Sequence, residues 1–112
     1  MSDAVDLTRY DFVQIVEASE IPPGERLMVE VDGEPIAIFN VSGQFYAIGD
    51  VCTHDDGPLG DGEMDGYHII CPRHGARFDI RNGKAITLPA VVPTPWYPVR
   101  VQDGWVEVGL EK

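Results

Sequence analysis

The stretch CTHDDGPLGDGEMDGYHIICPRH (residues 52–74) contains both cysteines and all three histidines of this 112-residue chain. Two pairs lie within it: Cys52-x-His54 and, after sixteen residues, Cys71-x-x-His74. Each pair combines a thiolate with an imidazole, whereas zinc fingers usually pair cysteine with cysteine and histidine with histidine. Two mixed pairs brought together by folding provide two sulfur and two nitrogen ligands, which suit zinc or an iron–sulfur centre.

Turn signals surround this stretch on both sides. Each consists of Asp, Asn or Ser followed by Gly, which tolerate the positive φ angles of tight hairpins. The pairs are Asp32-Gly33, Ser42-Gly43, Asp65-Gly66, Asn82-Gly83 and Asp103-Gly104. Apolar and β-branched runs flank the pairs, and apolar and polar residues alternate in LMVEV and WVEVG, as in half-buried strands. No stretch has a helical period of helix length. The sequence therefore predicts an all-β fold, an antiparallel sandwich or small barrel of nine or ten short strands.

The length of the chain predicts one domain, residues 1–112, with a modest core of its own. Residues 1–9 are predicted to form a loose tail. Between about residues 51 and 83 the turn spacing is less regular, and the sequence is rich in Gly, Pro and Asp. We interpret this region as a small inserted subdomain of loops carried by the β scaffold, a common way to place a functional site.

The charge of the chain limits its partners. Nineteen acidic residues against eight Lys and Arg give a net charge of −11, which argues against nucleic acid as a partner because phosphates would repel the protein. The acidity fits electrostatic steering toward a basic protein partner, and it fits equally a role in solubility alone. No apolar run approaches the ~20 residues that cross a bilayer, and MSDAVDLTRYD at the start lacks a secretory pattern. We therefore expect a soluble cytoplasmic protein without membrane contact, and a monomer.

The motif CTH, a spacer of sixteen residues and CPRHG resemble a Rieske iron–sulfur domain, and the whole chain is similar to the small Rieske-type ferredoxins. The resemblance implies one Rieske-type [2Fe–2S] cluster per chain, with Cys52 and Cys71 on the inner iron and His54 and His74 on the outer iron. It also implies that two hairpin-like loops present these ligands from a small cluster-binding subdomain inserted into a larger antiparallel β domain. A third, proline-containing loop covers the cluster in this family, and its expected counterpart is LPAVVPTPW (residues 88–96).

The resemblance implies an electron carrier rather than an enzyme. Such a ferredoxin carries single electrons from a flavin-dependent reductase to a terminal non-haem iron oxygenase, typically one that dihydroxylates aromatic rings. A non-haem iron site within this chain would need two histidines and a carboxylate. Once His54 and His74 bind the cluster, only His68 is left, and the alternation in YHIIC places it on a strand. Self-contained oxygenase activity is therefore excluded.

Two other functions stay open. The small subunit of an assimilatory nitrite reductase also resembles a Rieske domain, so the chain could be a redox subunit of that or another reductase. A zinc-stabilised interaction module would use the same four side chains without sulfide. The colour of the purified protein distinguishes the zinc module from the redox proteins, because an iron–sulfur protein is reddish brown.

Two positions depart from the high-potential members of the family. Those proteins carry two further cysteines in a disulfide, and a serine and a tyrosine whose hydroxyls hydrogen-bond to cluster or ligand sulfur. Here there is no third cysteine, and the motif HGARFD has Ala76 and Phe78 at those positions. Because hydrogen bonds to sulfur stabilise the reduced cluster, their loss predicts a midpoint potential near the low end of the Rieske range, roughly −150 mV.

Electrons are expected to leave at the solvent edge formed by the two ligating histidines. The expected apolar rim of that edge consists of Gly57, Pro58, Leu59, Gly75 and Pro93. The acids between the two ligand pairs would either steer a partner to this edge or simply remain solvated.

Overall fold

The computed structural model describes residues 6–53, 57–73, 75–88, 90 and 92–112, and this part of the chain contains ten β-strands and two short 3₁₀ helices. The strands are β1 (Tyr10–Glu17), β2 (Arg26–Val31), β3 (Glu34–Val41), β4 (Gln44–Gly49), β5 (Glu63–Asp65), β6 (His68–Ile70), β7 (Arg77–Asp79), β8 (Trp96–Tyr97), β9 (Val99–Gln102) and β10 (Trp105–Glu111). All of their pairings are antiparallel. The predicted all-β antiparallel fold is confirmed.

The strands form three sheets. The first sheet has the order β1-β10-β9, the second β2-β3-β4-β8 and the third β5-β6-β7. The third sheet lies between residues 51 and 83, where the sequence predicts an inserted subdomain. The outer limits of that subdomain remain a prediction.

Tight two-residue turns close the longer hairpins at the predicted places. In each of these turns both central residues have positive φ, between 51° and 91°. The turns are Asp32-Gly33, Ser42-Gly43 and Asp103-Gly104. Two positive φ values in succession match the right-handed twist of the flanking strands, which is why an Asx-Gly or Ser-Gly pair marks such a hairpin in a sequence. These turns fix the register of β2 with β3, β3 with β4 and β9 with β10.

Strand β3 separates two cores because its residues from Ile36 to Asn40 are buried on both faces. Ile36 and Ile38 point into a first core between the first and second sheets, where they join Val106 and Val108 of β10. The alternate residues Ala37 and Phe39 point into a second core between the second and third sheets. The period of two along a strand thus makes one strand the common wall of both cores.

The described part of the N-terminal segment contacts the last residue of the chain. Residues 1–9 are predicted to be a loose tail, but Leu7–Arg9 form a 3₁₀ helix whose start is capped by Asp6, which accepts from the N–H of Thr8 over 3.1 Å. The N–H of Lys112 donates to the carbonyl oxygen of Arg9 over 3.0 Å. The part of this segment that the structure describes is therefore tied to the end of β10. Within the described residues, no helix is long and apolar enough to cross a membrane.

Candidate metal centre

Cys52 begins the first of the two predicted ligand loops, shortly after β4 ends at Gly49. Its side chain is fully buried, and its backbone N–H donates to the carbonyl oxygen of Gly57 over 2.7 Å. This hydrogen bond closes a loop over residues 53–56. His54 and its two successors lie outside the described residues, so the assignment of His54 as a ligand stays a prediction.

Cys71 follows β6 directly and begins the second predicted ligand loop. Its side chain is 1% exposed, and its backbone N–H donates to the carbonyl oxygen of Ala76 over 2.7 Å. Inside the loop, the N–H of Gly75 donates to the carbonyl oxygen of Cys71 over 3.0 Å, and Gly75 has a φ of +74°, which favours glycine. His74, the fourth predicted ligand, lies outside the described residues and also stays a prediction.

Equivalent backbone hydrogen bonds close the two loops. In each, the N–H of the cysteine reaches the carbonyl oxygen five residues further along, at Gly57 in the first loop and at Ala76 in the second. Each enclosed segment contains one histidine in the sequence. This equal construction fits two loops that each present one cysteine and one histidine to a shared group.

Both cysteines lie in the second core, together with Leu59, Ile69 and Phe78. They are not joined by a disulfide. Two buried thiols without a cross-link, next to segments that contain histidines, are a suitable donor set for a metal centre. The residues of the two loops therefore fit an iron–sulfur group with two cysteine and two histidine ligands.

A close backbone contact holds the two loops side by side. The β5–β6 hairpin turns the chain back on itself, so that Glu63 pairs with Ile70. A Cβ atom at Gly62 would lie 1.8 Å from the carbonyl oxygen of Ile70, so only glycine fits there. Because Ile70 directly precedes Cys71, the contact at Gly62 places the start of the second loop against the segment that follows the first.

The segment predicted to cover the centre, residues 88–96, contacts the first loop. The hydroxyl of Thr53 donates to the carbonyl oxygen of Val92 over 2.5 Å, and Ala90 is buried in the same core as the cysteines. The side chains of Leu88 and Val92 are 77% and 55% exposed. This segment therefore packs against the site through its backbone and a small side chain, and presents two large apolar side chains to solvent.

The predicted apolar rim is wrong at two of its five positions. Pro58, Gly75 and Pro93 are exposed, but Gly57 and Leu59 are buried. Leu59 is turned inward because its side chain fills the second core beside Cys52, and its N–H is held by the carboxylate of Asp50 over 2.9 Å.

Comparison with known proteins identifies the family of this chain. The family model described as the Rieske [2Fe-2S] domain matches residues 11–98. This chain belongs to that family. The ferredoxin component of the p-cumate 2,3-dioxygenase system of Pseudomonas putida is 40% identical over 111 residues, which cover 96% of this chain and 92% of that protein. Family membership makes the cofactor a Rieske-type [2Fe–2S] cluster.

Solved structures place the chain among the Rieske ferredoxins as well. A complex of reduced oxygenase and oxidized ferredoxin in carbazole 1,9a-dioxygenase contains a chain that superposes with a TM-score of 0.83 at 37% identity, covering 90% of this chain and 94% of that one. A structure described as a putative NADH-dependent nitrite reductase small subunit from Mycobacterium tuberculosis superposes with a TM-score of 0.78, covering 92% of this chain and 97% of that one. Its identity is only 22%, so it shows a shared fold alone.

Ala76 and Phe78 are both fully buried in the second core with the cysteines. Neither side chain carries a hydroxyl that could donate to sulfur. The carbonyl oxygen of Ala76 accepts the N–H of Cys71, so its methyl group stands at the far end of the second Rieske loop. Both side chains therefore lie in the core that contains the cysteines, and both are apolar.

The third sheet carries charged side chains of both signs. On it, Arg77 pairs with Asp65 over 2.7 Å. Asp61 and Glu63 are exposed, and they line a shallow groove that reaches Cys71. Negative charge near a cluster disfavours the uptake of another electron, which agrees with a low midpoint potential.

A second ion pair, between Asp79 and Arg81, lies beside a ring contact that joins the third sheet region to β4. The buried carboxylate of Asp79 accepts from Nε and Nη2 of Arg81 over 3.1 and 2.9 Å and from the Arg81 backbone N–H over 2.9 Å. Burial opposes the charged form, but the bonds from Arg81 outweigh it and hold the pKa of Asp79 below its usual value. The Arg81 guanidinium lies 4.4 Å from the ring centroid of Tyr67, which meets Tyr46 edge to face at 5.7 Å. His68 lies on β6 opposite Asp79, in agreement with its predicted strand position.

Sequence analysis did not single out two side chains that hold the first Rieske loop. Asp50 accepts backbone N–H groups of the segment after Cys52, and Arg26 donates to backbone carbonyl groups of the same segment. The short distance between Asp50 and Cys52 in the sequence was a usable signal. Nothing in the sequence marks Arg26, because strand pairing alone brings it to the loop.

Proposed function

We propose that this protein is the ferredoxin component of a ring-hydroxylating dioxygenase system, carrying single electrons from a flavin-dependent reductase to a terminal oxygenase. The observation that carries the proposal is the pair of buried cysteines, Cys52 and Cys71, at the heads of two equally closed loops in a Rieske domain. Relatives and solved structures named as ferredoxins of dioxygenase systems support it.

The proposed ligands are Cys52 and Cys71 on the buried side and His54 and His74 on the side of the partner. When bound, the [2Fe–2S] cluster takes up and gives out one electron at a time. Burial in the second core keeps water away from the two cysteines. The exposed apolar side chains Leu88 and Val92, on the segment that contacts the first loop, would meet the partner.

The chain is proposed to have no catalytic activity of its own, since its relatives are ferredoxin components of larger systems. The flavin-dependent reductase, the cytoplasmic location and the monomeric state belong to the same proposal. Membership of an iron–sulfur family disfavours the zinc-stabilised module. The relative of higher identity is named as a ferredoxin component, which favours the dioxygenase ferredoxin over the nitrite reductase subunit.

Metal and sulfide analysis of the purified holoprotein tests the cofactor and its ligands. We expect about two irons and two acid-labile sulfides per chain, and after reduction a low average g value in electron paramagnetic resonance, as mixed Cys/His ligation requires. His54→Ala should lose the cluster, whereas His68→Ala should retain it. One zinc without sulfide would refute the proposal, and a normal cluster in His54→Ala would remove the ligand assignment.

Reconstitution tests the role. The purified protein, mixed with the reductase and oxygenase of the p-cumate 2,3-dioxygenase system, should support electron transfer to the oxygenase, although more slowly than that system's own ferredoxin. The nitrite reductase alternative would be favoured if flavin-dependent ferredoxin reductases failed to reduce this protein while a nitrite reductase large subunit reduced it rapidly.

A further inference from the structure

The segment that follows the first Rieske loop, residues 59–62, has its backbone polar groups bound by two charged side chains, that of Arg26 on β2 and that of Asp50 directly after β4. On one side, Oδ1 of Asp50 accepts the N–H groups of Leu59 and Gly60 over 2.9 and 2.5 Å. On the other, Nη1 of Arg26 donates to the carbonyl oxygens of Gly60 and Gly62 over 2.6 and 2.5 Å. Gly60 is held by both, through its N–H and its carbonyl group.

We propose that Arg26 and Asp50 are positioning residues for the cluster, acting together through this short segment to fix where the first loop presents its ligands. The inference rests on the proposed function. It assigns no contact between either side chain and the cluster, because both act through the backbone of residues 59–62.

The backbone of Asp50 and the position of the Arg26 side chain are both held by contacts with β3. The backbone N–H of Asp50 donates to the carbonyl oxygen of Pro35 over 2.9 Å, so this residue is tied to β3. Arg26 lies opposite Phe39 in the β2–β3 pairing, and its guanidinium carbon is 5.6 Å from the centroid of the Phe39 ring. Phe39 is itself a buried member of the second core. Arg26 and Asp50 therefore hold residues 59–62 in a fixed position relative to β2 and β3.

Residues 59–62 lie close against their neighbours at two glycines. A Cβ atom at Gly60 would lie 2.9 Å from Cγ of Met28 and 3.0 Å from Oδ1 of Asp50. At Gly62 the carbonyl oxygen of Ile70 occupies the same space. Because Ile70 precedes Cys71, a displacement of Gly62 would be felt at the start of the second loop. Glycine at these two positions lets the backbone come close enough for both charged side chains to reach it.

Hydrogen bonds that involve a charged partner are roughly twice as strong as neutral ones, and breaking one side leaves backbone groups of the partly buried segment without a partner. Loss of either side chain should therefore open the first loop more often in the holoprotein. A chelator that captures iron only from the opened loop measures this opening directly. Changes in the g values of the reduced cluster measure the altered geometry without any use of activity.

The test compares Arg26→Gln, Asp50→Asn and the double variant with wild type, as holoproteins with equal iron and sulfide content. Arg100→Gln is the matched control: Arg100 also binds a carboxylate, Glu107 over 2.6 Å, and stacks on a ring, Phe12 at 4.2 Å, but it lies on β9 of the first sheet. Each single loop variant should release iron to the chelator about tenfold faster and shift the g values, while the control should do neither.

The double variant decides whether the two residues act together. Since one holds the N–H group of Gly60 and the other its carbonyl group, the release rate of the double variant should rise by clearly less than the product of the two single factors. Arg26→Lys, which keeps the charge but replaces the planar guanidinium whose Nη1 binds both carbonyl groups, should restore only part of the wild-type rate and covers the case in which Arg26→Gln does not fold. Wild-type release rates and g values in the single variants, or factors that simply multiply, would overturn the inference. A wild-type protein without iron and sulfide would instead overturn the proposed function.

Discussion

The two cores of this molecule are held together by different means. The first core lies between sheets in which five strands span six to eight residues, and tight two-residue turns join β2 to β3, β3 to β4 and β9 to β10. The second core is closed on one side by the third sheet, whose strands have only three residues each. A sheet of such short strands contributes few ladder hydrogen bonds, so it is not stable by itself. The second core therefore depends on glycine contacts, ion pairs and the proposed cluster.

The comparison teaches where stability and function separate. Strand β3 serves both cores, but only its Ala37 and Phe39 face is shared with the cysteines. The cluster can thus be lost, or its potential adjusted, without rebuilding the first core. The most direct test of this separation is to remove the cluster and measure whether both cores lose their structure together.

The largest effect is expected for Cys71→Ser. Removal of this thiolate should lower the iron content by about tenfold or more, because ligation and loop order are coupled. Amide hydrogen exchange should then become fast in residues 68–70 and 77–79, while residues 106–108 of the first core keep their protection. Equal loss of protection in both cores would show that the first core cannot stand without the cluster.

The next effect compares neighbouring residues of β3. Phe39→Ala and Ile38→Ala each empty a fully buried site, at a cost in unfolding free energy of about 3–5 and 2–5 kcal/mol respectively. Denaturant unfolding should find both variants destabilised. Only Phe39→Ala should also lose iron from the folded protein, since Ile38 faces the first core. Greater iron loss in Ile38→Ala would contradict the division into two cores.

Sequence reasoning reached the hairpins of the first core more easily than the packing of the second core, and its ligand assignment stays a prediction. The turns at Asp32-Gly33 and Asp103-Gly104 are local signals, so the strands around them could be predicted. The Cys and His spacing is local too. By contrast, the burial of Leu59 depends on the position of Asp50, and the role of Arg26 depends on strand pairing. The contact of Arg26 forms only when strand pairing brings β2 to the segment after the first loop, so a single sequence carries no signal for it, whereas Asp50 lies close to Cys52 in the sequence.

A smaller effect is expected for the ion pair of the third sheet. The pKa of Asp79 is lowered in the folded protein, so its charge stabilises the fold fully above the usual carboxyl range and loses this contribution as pH falls through the folded pKa. Asp79→Asn should therefore cost about 1 kcal/mol in unfolding free energy at pH 7. Denaturant unfolding of wild type and variant should give converging values in acid.

The control for the Asp79 variant belongs to the first sheet. Glu107→Gln breaks a similar pair with Arg100, at 2.6 Å, on the other side of the molecule. Both variants should lose stability, but only Asp79→Asn should speed amide exchange selectively in β6 and β7. A difference between wild type and Asp79→Asn that grows as pH falls would contradict the lowered pKa.

The smallest effect is a change of potential rather than of stability. Ala76→Ser places a hydroxyl at a fully buried position whose carbonyl oxygen binds the N–H of Cys71. If the hydroxyl donates to sulfur, it favours the reduced cluster, and a gain of about 1 kcal/mol corresponds to a rise of roughly 40 mV in a one-electron midpoint. Ala47→Ser is the matched control, because Ala47 is equally buried but belongs to the first core. Redox titration should show a higher midpoint in Ala76→Ser and an unchanged one in Ala47→Ser. A midpoint that rises equally in both would mean that the potential follows general loosening of the protein, and the hydroxyl explanation for the low wild-type value would fail.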